Sequence, residues 1–235
     1  MTRDSLNVLI LAGGRGSRLQ PVVSDRPKPM ALINGRPFLD ILMSYLGNFG
    51  FYRFILCVGY MADFIQGYYA GPNGGKAREI AFSRESSPLG TGGALKNAEP
   101  LITSASFLIV NGDSFCSVDL HRFIAFHREK ESLVSMVVAH AEEEKDFGSV
   151  TLDPLSRIAG FQEKDSPASG WINAGIYLFE KSVLSRIPPN TVYSLEQDLF
   201  PNLGTHDFYG FPTTEKLIDF GTPKRFAEAQ RVLLL

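Results

Sequence analysis

The residues best suited to chemistry stand near the N-terminus. The apolar run Val8-Leu9-Ile10-Leu11 feeds Ala12-Gly13-Gly14-Arg15-Gly16-Ser17-Arg18-Leu19, and Arg26-Pro27-Lys28-Pro29-Met30 follows. Glycines let a phosphate approach the backbone closely, where N–H groups donate to its oxygens. Arg18 offers a planar fork to two phosphate oxygens, and Lys28 offers a point charge. Pro27 and Pro29 fix their own φ and favour an extended chain around Lys28, so the lysine is presented in one place. Such a set grips a nucleoside triphosphate; a βα turn with a solvated Arg and Lys is the plain alternative. Spacing excludes two common phosphate loops. A Walker A loop needs Gly-Lys-Ser/Thr, which Arg15-Gly16-Ser17 does not supply, and Gly14 onward (G-R-G-S-R-L) lacks the third glycine of a dinucleotide fingerprint.

Carboxylates come next. Asp113 ends the apolar run Phe107-Leu108-Ile109-Val110 through Asn111-Gly112, and Asp219 follows Leu217-Ile218 just before Gly221-Thr222-Pro223. Asn-Gly-Asp is also good turn chemistry, so Asp113 alone reads as a turn residue or as a ligand. Two strand-end aspartates beside a triphosphate loop suit Mg²⁺, which takes one or two carboxylates together with substrate phosphates. The loop Glu85-Ser86-Ser87-Pro88-Leu89-Gly90-Thr91-Gly92-Gly93-Ala94-Leu95 is rich in glycine ahead of a helix, although a plain turn would use glycine too. Three later segments could meet a second ligand. Gly148 after Asp146-Phe147 could expose backbone, Glu163-Lys164 brings a charge pair, and Asn173 in Asn173-Ala174-Gly175-Ile176-Tyr177 suits hydroxyl groups. Each is unremarkable singly, and an exposed Glu-Lys pair is ordinarily surface.

Taken whole, L-A-G-G-x-G-S-R-L-x-P from Leu11 to Pro21 with R-P-K-P-M resembles the signature of the sugar-phosphate nucleotidyltransferases, which join a nucleoside triphosphate to a sugar 1-phosphate. The downstream order D-F-G, E-K, N-A-G-I-Y and the segments around Asp113 and Asp219 match that family too. The resemblance implies a Rossmann-like, three-layer α/β fold with a mixed, mostly parallel sheet of the GT-A-like nucleotidyltransferase type. It places Leu11, Ala12, Gly13, Gly14, Gly16, Glu85, Gly90, Thr91 and Asn111 around the nucleotide. Arg18, Lys28 and Lys164 become the catalytic cations, and Asp113 and Asp219 the Mg²⁺ ligands. Lys164 would neutralise the sugar phosphate, while Glu163, Asn173 and the Gly148 backbone would hold the ring.

In this family the loop matching residues 85–95 holds the nucleobase, and Glu85 stands where thymidylyl- and uridylyltransferases often carry Gln. A carboxylate only accepts hydrogen bonds. Guanine presents two adjacent donors, N1–H and the exocyclic amine, whereas uracil and thymine present only N3–H. Adenine and cytosine set an amine beside a ring nitrogen that would face the carboxylate lone pairs. An inward Glu85 therefore matches guanine, and a solvated one carries no such meaning. The Pro88–Gly93 loop also resembles that of guanylyltransferases for mannose and heptose 1-phosphates. D-glycero-α-D-manno-heptose 1-phosphate is the favoured acceptor and mannose 1-phosphate the runner-up, with uridylyl, cytidylyl and thymidylyl transfer still open. The expected chemistry is an in-line displacement at the α-phosphorus. Its main obstacle is the approach of two anions: two unit charges 4 Å apart repel by about 4 kcal/mol at an effective dielectric of about 20. Phosphate monoesters are ionised near neutral pH, so no general base is needed.

The elements that must position these residues follow from patterning. Asn7–Leu11, Phe54–Val58, Glu79–Arg84 and Ser106–Val110 read as strands of a mostly parallel sheet, alternating with helices. Phe38, Ile41, Leu42, Tyr45, Leu46 and Phe49 follow helical spacing between Pro37 and Gly50. A short helix passes through Phe64 and Tyr68, another starts near Gly92, and His121–Arg128 is a third. Leu133–Ala139 reads as a buried strand. Short strands at Ser149–Leu152, Ile158–Gln162, Asn173–Phe179, Asp207–Phe211 and Lys216–Phe220 suggest an antiparallel or mixed second half. Ser194-Leu195-Glu196-Gln197 fits a capping box, and Thr222-Pro223 starts a C-terminal helix. The expectation is one domain over 1–235, with a nucleotide half to about residue 130 and a sugar-phosphate half beyond it.

Bulk properties narrow the class. The chain has 235 residues, 44% hydrophobic and 20% charged, as an ordinary soluble globule does. A net charge of −2 argues against nucleic-acid partners, and no apolar run reaches transmembrane length. The expected partners are the two substrates, with homo-oligomerisation left open, and the expected compartment is the cytoplasm. Cys57 and Cys116 read as buried thiols, and His121, His127, His140 and His206 make no metal spacing. A GT-A glycosyltransferase would show D-x-D where this chain has Gly112-Asp113-Ser114. A catalytically dead binding subunit would have no reason to keep Arg18, Lys28, Asp113, Lys164 and Asp219 together.

Overall fold

Every residue of the strand Asn7–Leu11 (β1) is apolar except the first, because both faces of the strand are covered. Val8 and Ile10 enter one hydrophobic cluster and Leu9 the other, as the two-residue period of a strand requires. The computed structural model describes residues 6–71, 78–144, 148–162 and 168–233.

After β1 the chain makes a small hairpin, Leu32–Ile33 (β2) and Arg36–Pro37 (β3). Its turn is Asn34-Gly35, with φ of 49° and 81°, values that Asn and Gly tolerate best. Pro37 then leads into the helix Phe38–Asn48 (α1), which buries Phe38, Leu39, Ile41, Leu42, Met43 and Leu46. Gly50, at φ 86°, lets the chain leave that helix. Next come Arg53–Val58 (β4), Ala62–Ala70 (α2), Glu79–Arg84 (β5), Gly90–Ala98 (α3), Ser106–Asn111 (β6) and Ser114–Phe115 (β7). The helix Leu120–Glu129 (α4) is opened by Asp119, whose carboxylate accepts from the N–H groups of His121 and Arg122. The second half holds Val134–Glu144 (β8), Ser149–Leu152 (β9), Ile158–Gln162 (β10), Ala168–Glu180 (β11), Phe208–Thr213 (β12) and Ile218–Asp219 (β13). The last helix, Pro223–Val232 (α5), begins with proline in its first turn, and Thr222 Oγ1 accepts from Arg225 N–H.

Among the described residues the main sheet has nine strands. Its path runs β10-β9-β11-β6-β1-β4-β5, with β8 beside β11 and β12 beside β8. β6, β1, β4 and β5 are parallel, and β11 joins β6 antiparallel, pairing Tyr177 with Ile109. The two halves of the chain thus share one sheet. Helices α1, α2, α4 and α5 cover one face, while α3 and the segments around Leu184, Leu195 and Phe200 cover the other. Phe38, Phe54, Phe107, Phe123, Phe179 and Phe220 are fully buried, each contributing about 1.5–3 kcal/mol. No described helix is long and apolar enough to cross a membrane.

Four local expectations change. Lys28 is not extended: Lys28–Met30 forms a 3-10 turn, because Met30 N–H and Ala31 N–H donate to Pro27 O and Lys28 O. The helix expected near Gly92 starts at Gly90. Ser194 does cap a helical turn, through Oγ to Glu196 and Gln197 N–H. Its own N–H, however, donates to the Asp198 carboxylate at 2.7 Å, so the reciprocal partner is one residue later than a capping box requires. The strand expected over Lys216–Phe220 is only Ile218–Asp219, paired with β7. His127 is buried and structural, with Nδ1 2.8 Å from Ser135 Oγ and Nε2 3.2 Å from Glu180 Oε1. Cys57 and Cys116 are buried too, and burial pushes both thiols up to about 12, which leaves them unreactive.

Candidate active site

Open α/β sheets offer ligands a crevice at the carboxyl ends of their strands, where the strand order reverses. In this sheet β1 is flanked by β4 on one side and β6 on the other, and the segments leaving β1, β4, β5 and β6 surround a cavity of about 330 Å³. All nine residues expected around the nucleotide line it: Leu11, Ala12, Gly13, Gly14, Gly16, Glu85, Gly90, Thr91 and Asn111. Lys28 and Asp113 line it as well. Cys57, Pro29, Pro88 and Ala94 complete the lining.

Glu85 points inward. Its Oε2 accepts from Leu89 N–H at 2.9 Å, and Oε1 lies 2.8 Å from where a Cβ on Gly13 would stand. Gly13 is therefore a glycine partly because the Glu85 carboxylate needs that space. Burial raises the Glu85 carboxyl above its ordinary range, and the Leu89 N–H pulls the other way. A ligand that donates to this carboxylate would relieve its desolvation.

The glycines of residues 90–93 have a second cause. Gly92 and Gly93 N–H both donate to Tyr193 O, at 2.9 and 3.0 Å, and Tyr193 N–H donates to Leu89 O at 2.8 Å. A Cβ on Gly90 would stand 2.7 Å from Tyr193 O, and one on Gly93 would stand 2.6 Å from Thr191 O. These glycines admit a strap from the second half of the chain. Thr91, at the same seam, donates through Oγ1 to Glu196 Oε2 at 2.8 Å and accepts from Leu195 N–H. The loop expected to hold the base is itself held by residues 191–196.

Asp113 and Asp219 come together through β7 and β13, where Ser114 pairs with Asp219. Lys28 Nζ lies 2.8 Å from Asp113 Oδ2 and 3.8 Å from Asp219 Oδ1. Asp219 is fixed from other sides: Oδ1 accepts from Gly221 N–H, and Oδ2 lies 3.5 Å from Arg225 Nη1. Arg18 reaches the same corner. A Cβ on Gly221 would stand 3.3 Å from Lys28 Nζ and 3.4 Å from Arg18 Nη2. Two carboxylates facing one ammonium form a donor set that fits a hard cation, with further coordination open to phosphate oxygens. Arg225, which no motif marks, stands in the first turn of a helix that starts four residues after Asp219.

Asn173 Nδ2 donates to the Tyr177 hydroxyl at 2.8 Å, and its Oδ1 accepts from Gly175 N–H at 2.9 Å. Gly175, at φ 72°, must be glycine because a Cβ would meet Asn111 Nδ2 at 2.6 Å. That contact ties the expected sugar strand to the end of β6. Gly148 is buried, and its carbonyl accepts from Asn173 N–H. Glu163 and Lys164 lie outside the described residues.

Known proteins supply the remaining comparison. The chain is 36% identical over 230 residues to D-glycero-alpha-D-manno-heptose 1-phosphate guanylyltransferase of Aneurinibacillus thermoaerophilus, covering 97% of this chain and 98% of that protein. It is 32% identical over 238 residues to mannose-1-phosphate guanylyltransferase of Mycobacterium tuberculosis, of whose length it spans only 66%. The crystal structure of HddC from Yersinia pseudotuberculosis superposes with a TM-score of 0.86 at 35% identity, over 96% of this chain and 98% of that one. The same protein complexed with GMP-PN gives 0.85. The family model described as nucleotidyl transferase matches residues 7–234, and with the glycine loop, Lys28 and Asp113 lining one cavity and Asp219 beside them, this chain belongs to that family.

Proposed function

We propose that this protein transfers guanylyl from GTP to a manno-configured sugar 1-phosphate, releasing pyrophosphate, with D-glycero-α-D-manno-heptose 1-phosphate as the acceptor. The observation that carries the base is Glu85, an acceptor-only carboxylate turned into the cavity beside Gly13. Guanine is the base whose two adjacent donors match it. The near-full-length likeness to heptose 1-phosphate guanylyltransferases and to a protein solved with GMP-PN supports the same choice.

In this reading the Gly13–Gly16 backbone and Arg18 take the β- and γ-phosphates, and Lys28 neutralises the α-phosphate. Asp113 and Asp219 would hold Mg²⁺, which supplies charge neutralisation of the phosphates when bound. Lys164 receives the sugar phosphate, and Asn173, Glu163 and the Gly148 backbone orient the ring. The sugar phosphate oxygen attacks the α-phosphorus as the bond to pyrophosphate breaks. Positioning two bound reactants in line contributes about 7–11 kcal/mol. Mannose 1-phosphate is the second reading, favoured by the M. tuberculosis relative. Mass spectrometry of products from GTP with each sugar 1-phosphate tests the choice. GDP-heptose formed at least tenfold faster than GDP-mannose is expected; equal or faster mannose transfer would hand the assignment to the second reading.

A further inference from the structure

Lys28 is built into the place where the two aspartates meet. Its stem packs against Gly16, where a Cβ would stand 2.7 Å from Lys28 Cβ and 3.2 Å from Cδ. Its side chain is 9% exposed, and Nζ sits 5.1 Å above the Phe220 ring while contacting both carboxylates. Arg225 flanks Asp219 from the other side, with Nη1 3.5 Å from Oδ2. A bare dication would have to displace this packed ammonium from both carboxylates. A triphosphate changes that balance, because its oxygens give Lys28 an anionic partner of its own.

We propose that Lys28 acts as an internal counter-cation of Asp113 and Asp219, so that the free protein excludes a divalent metal until a nucleoside triphosphate draws the ammonium away. Metal and nucleotide then enter together. The lysine sets the order of binding as well as neutralising phosphate. This inference rests on the proposed nucleotidyl transfer and its metal site.

The test is Mn²⁺ binding to the full chain, read by the loss of the free-ion electron paramagnetic resonance signal, without and with a non-hydrolysable GTP analogue. Wild type should bind Mn²⁺ at least tenfold more weakly alone than with the analogue. Lys28→Met should bind Mn²⁺ at least tenfold more tightly than wild type when no nucleotide is present. Adding Asp113→Asn to Lys28→Met should abolish that gain. Lys28→Gln, which keeps a polar group facing the carboxylates, repeats the experiment if the methionine variant does not fold. Equal Mn²⁺ affinity in the wild type and the Lys28 variants, or a gain that survives Asp113→Asn, would overturn the inference while leaving the metal reading intact. Wild type that binds Mn²⁺ in neither condition would refute the metal reading and the inference with it.

Discussion

Replacing one glycine at each of two loops separates a structural seam from a ligand-facing backbone. In Gly93→Ala the added Cβ would lie 2.6 Å from Thr191 O and 2.9 Å from Leu89 Cβ, so the strap must move away. Three backbone hydrogen bonds are then at risk: Gly92 and Gly93 N–H to Tyr193 O, and Tyr193 N–H to Leu89 O. At about 1 kcal/mol each they sum to about 3 kcal/mol, and the better helix propensity of alanine returns about 1 kcal/mol. The net loss of about 2 kcal/mol should lower Tm by about 4–8 °C in a chain of this length. Gly14→Ala is the opposite case, since no heavy atom lies within 4 Å of its added Cβ. Its stability should stay within about 0.5 kcal/mol of wild type, as for substitutions away from packed features. If Gly14 approaches a phosphate, losing one charge-assisted hydrogen bond worth about 1.5–3 kcal/mol should raise the KM for GTP by about 10–100-fold. Thermal melts followed by steady-state kinetics on both proteins measure the pair. Gly93→Ala with wild-type Tm, or Gly14→Ala with wild-type KM, would refute the division of roles.

Other changes probe the chemistry and the scaffold. Asp113→Asn should cut kcat by about 10²–10³-fold, the usual cost of losing one electrostatic stabiliser, with Tm unchanged; stopped assays at saturating Mg²⁺ check it. Glu85→Gln removes one of two charge-assisted acceptors for guanine, so kcat/KM for GTP should fall by about 10–100-fold while UTP use rises. Competition between the two triphosphates in one reaction reads that ratio. His127 titrates below its ordinary value, chiefly because burial disfavours its charged form, and the Glu180 contact only partly offsets this. The unfolded chain therefore binds the extra proton more readily. The stability His127 contributes is present above about pH 6.5, its unfolded value, and is lost as pH falls from there toward its lower folded value. Melts of wild type and His127→Gln from pH 7.5 to 5 should show a steeper loss in wild type.

Much of this was legible because the strands announce themselves. β1 and β5 in the parallel half, and β9 and β10 in the antiparallel half, have the limits their patterning suggests, since short strands between turn residues leave little choice of boundary. The nucleotide loop could be read for a related reason: Gly13, Gly14 and Gly16 sit directly after β1, so sequence neighbours are also site neighbours. What could not be read depends on distant pairing. β7 and β13 have two residues each, too short for any periodicity, yet their pairing brings Asp113 to Asp219 across more than a hundred residues. Tyr193 meets Gly92 and Gly93 across a similar gap, so glycines that looked dedicated to a base also serve a seam. Lys28 was expected in an extended segment facing phosphate, whereas a 3-10 turn carries it onto the aspartates.

Pyrophosphate release from the wild-type protein, with Mg²⁺, across GTP, ATP, UTP and CTP and several sugar 1-phosphates tests the central claim most directly. Release confined to GTP with a manno-configured sugar 1-phosphate is the expected result. Release that favours UTP, CTP or ATP would contradict the Glu85 reading, and no release from folded protein that binds GTP would contradict catalysis itself.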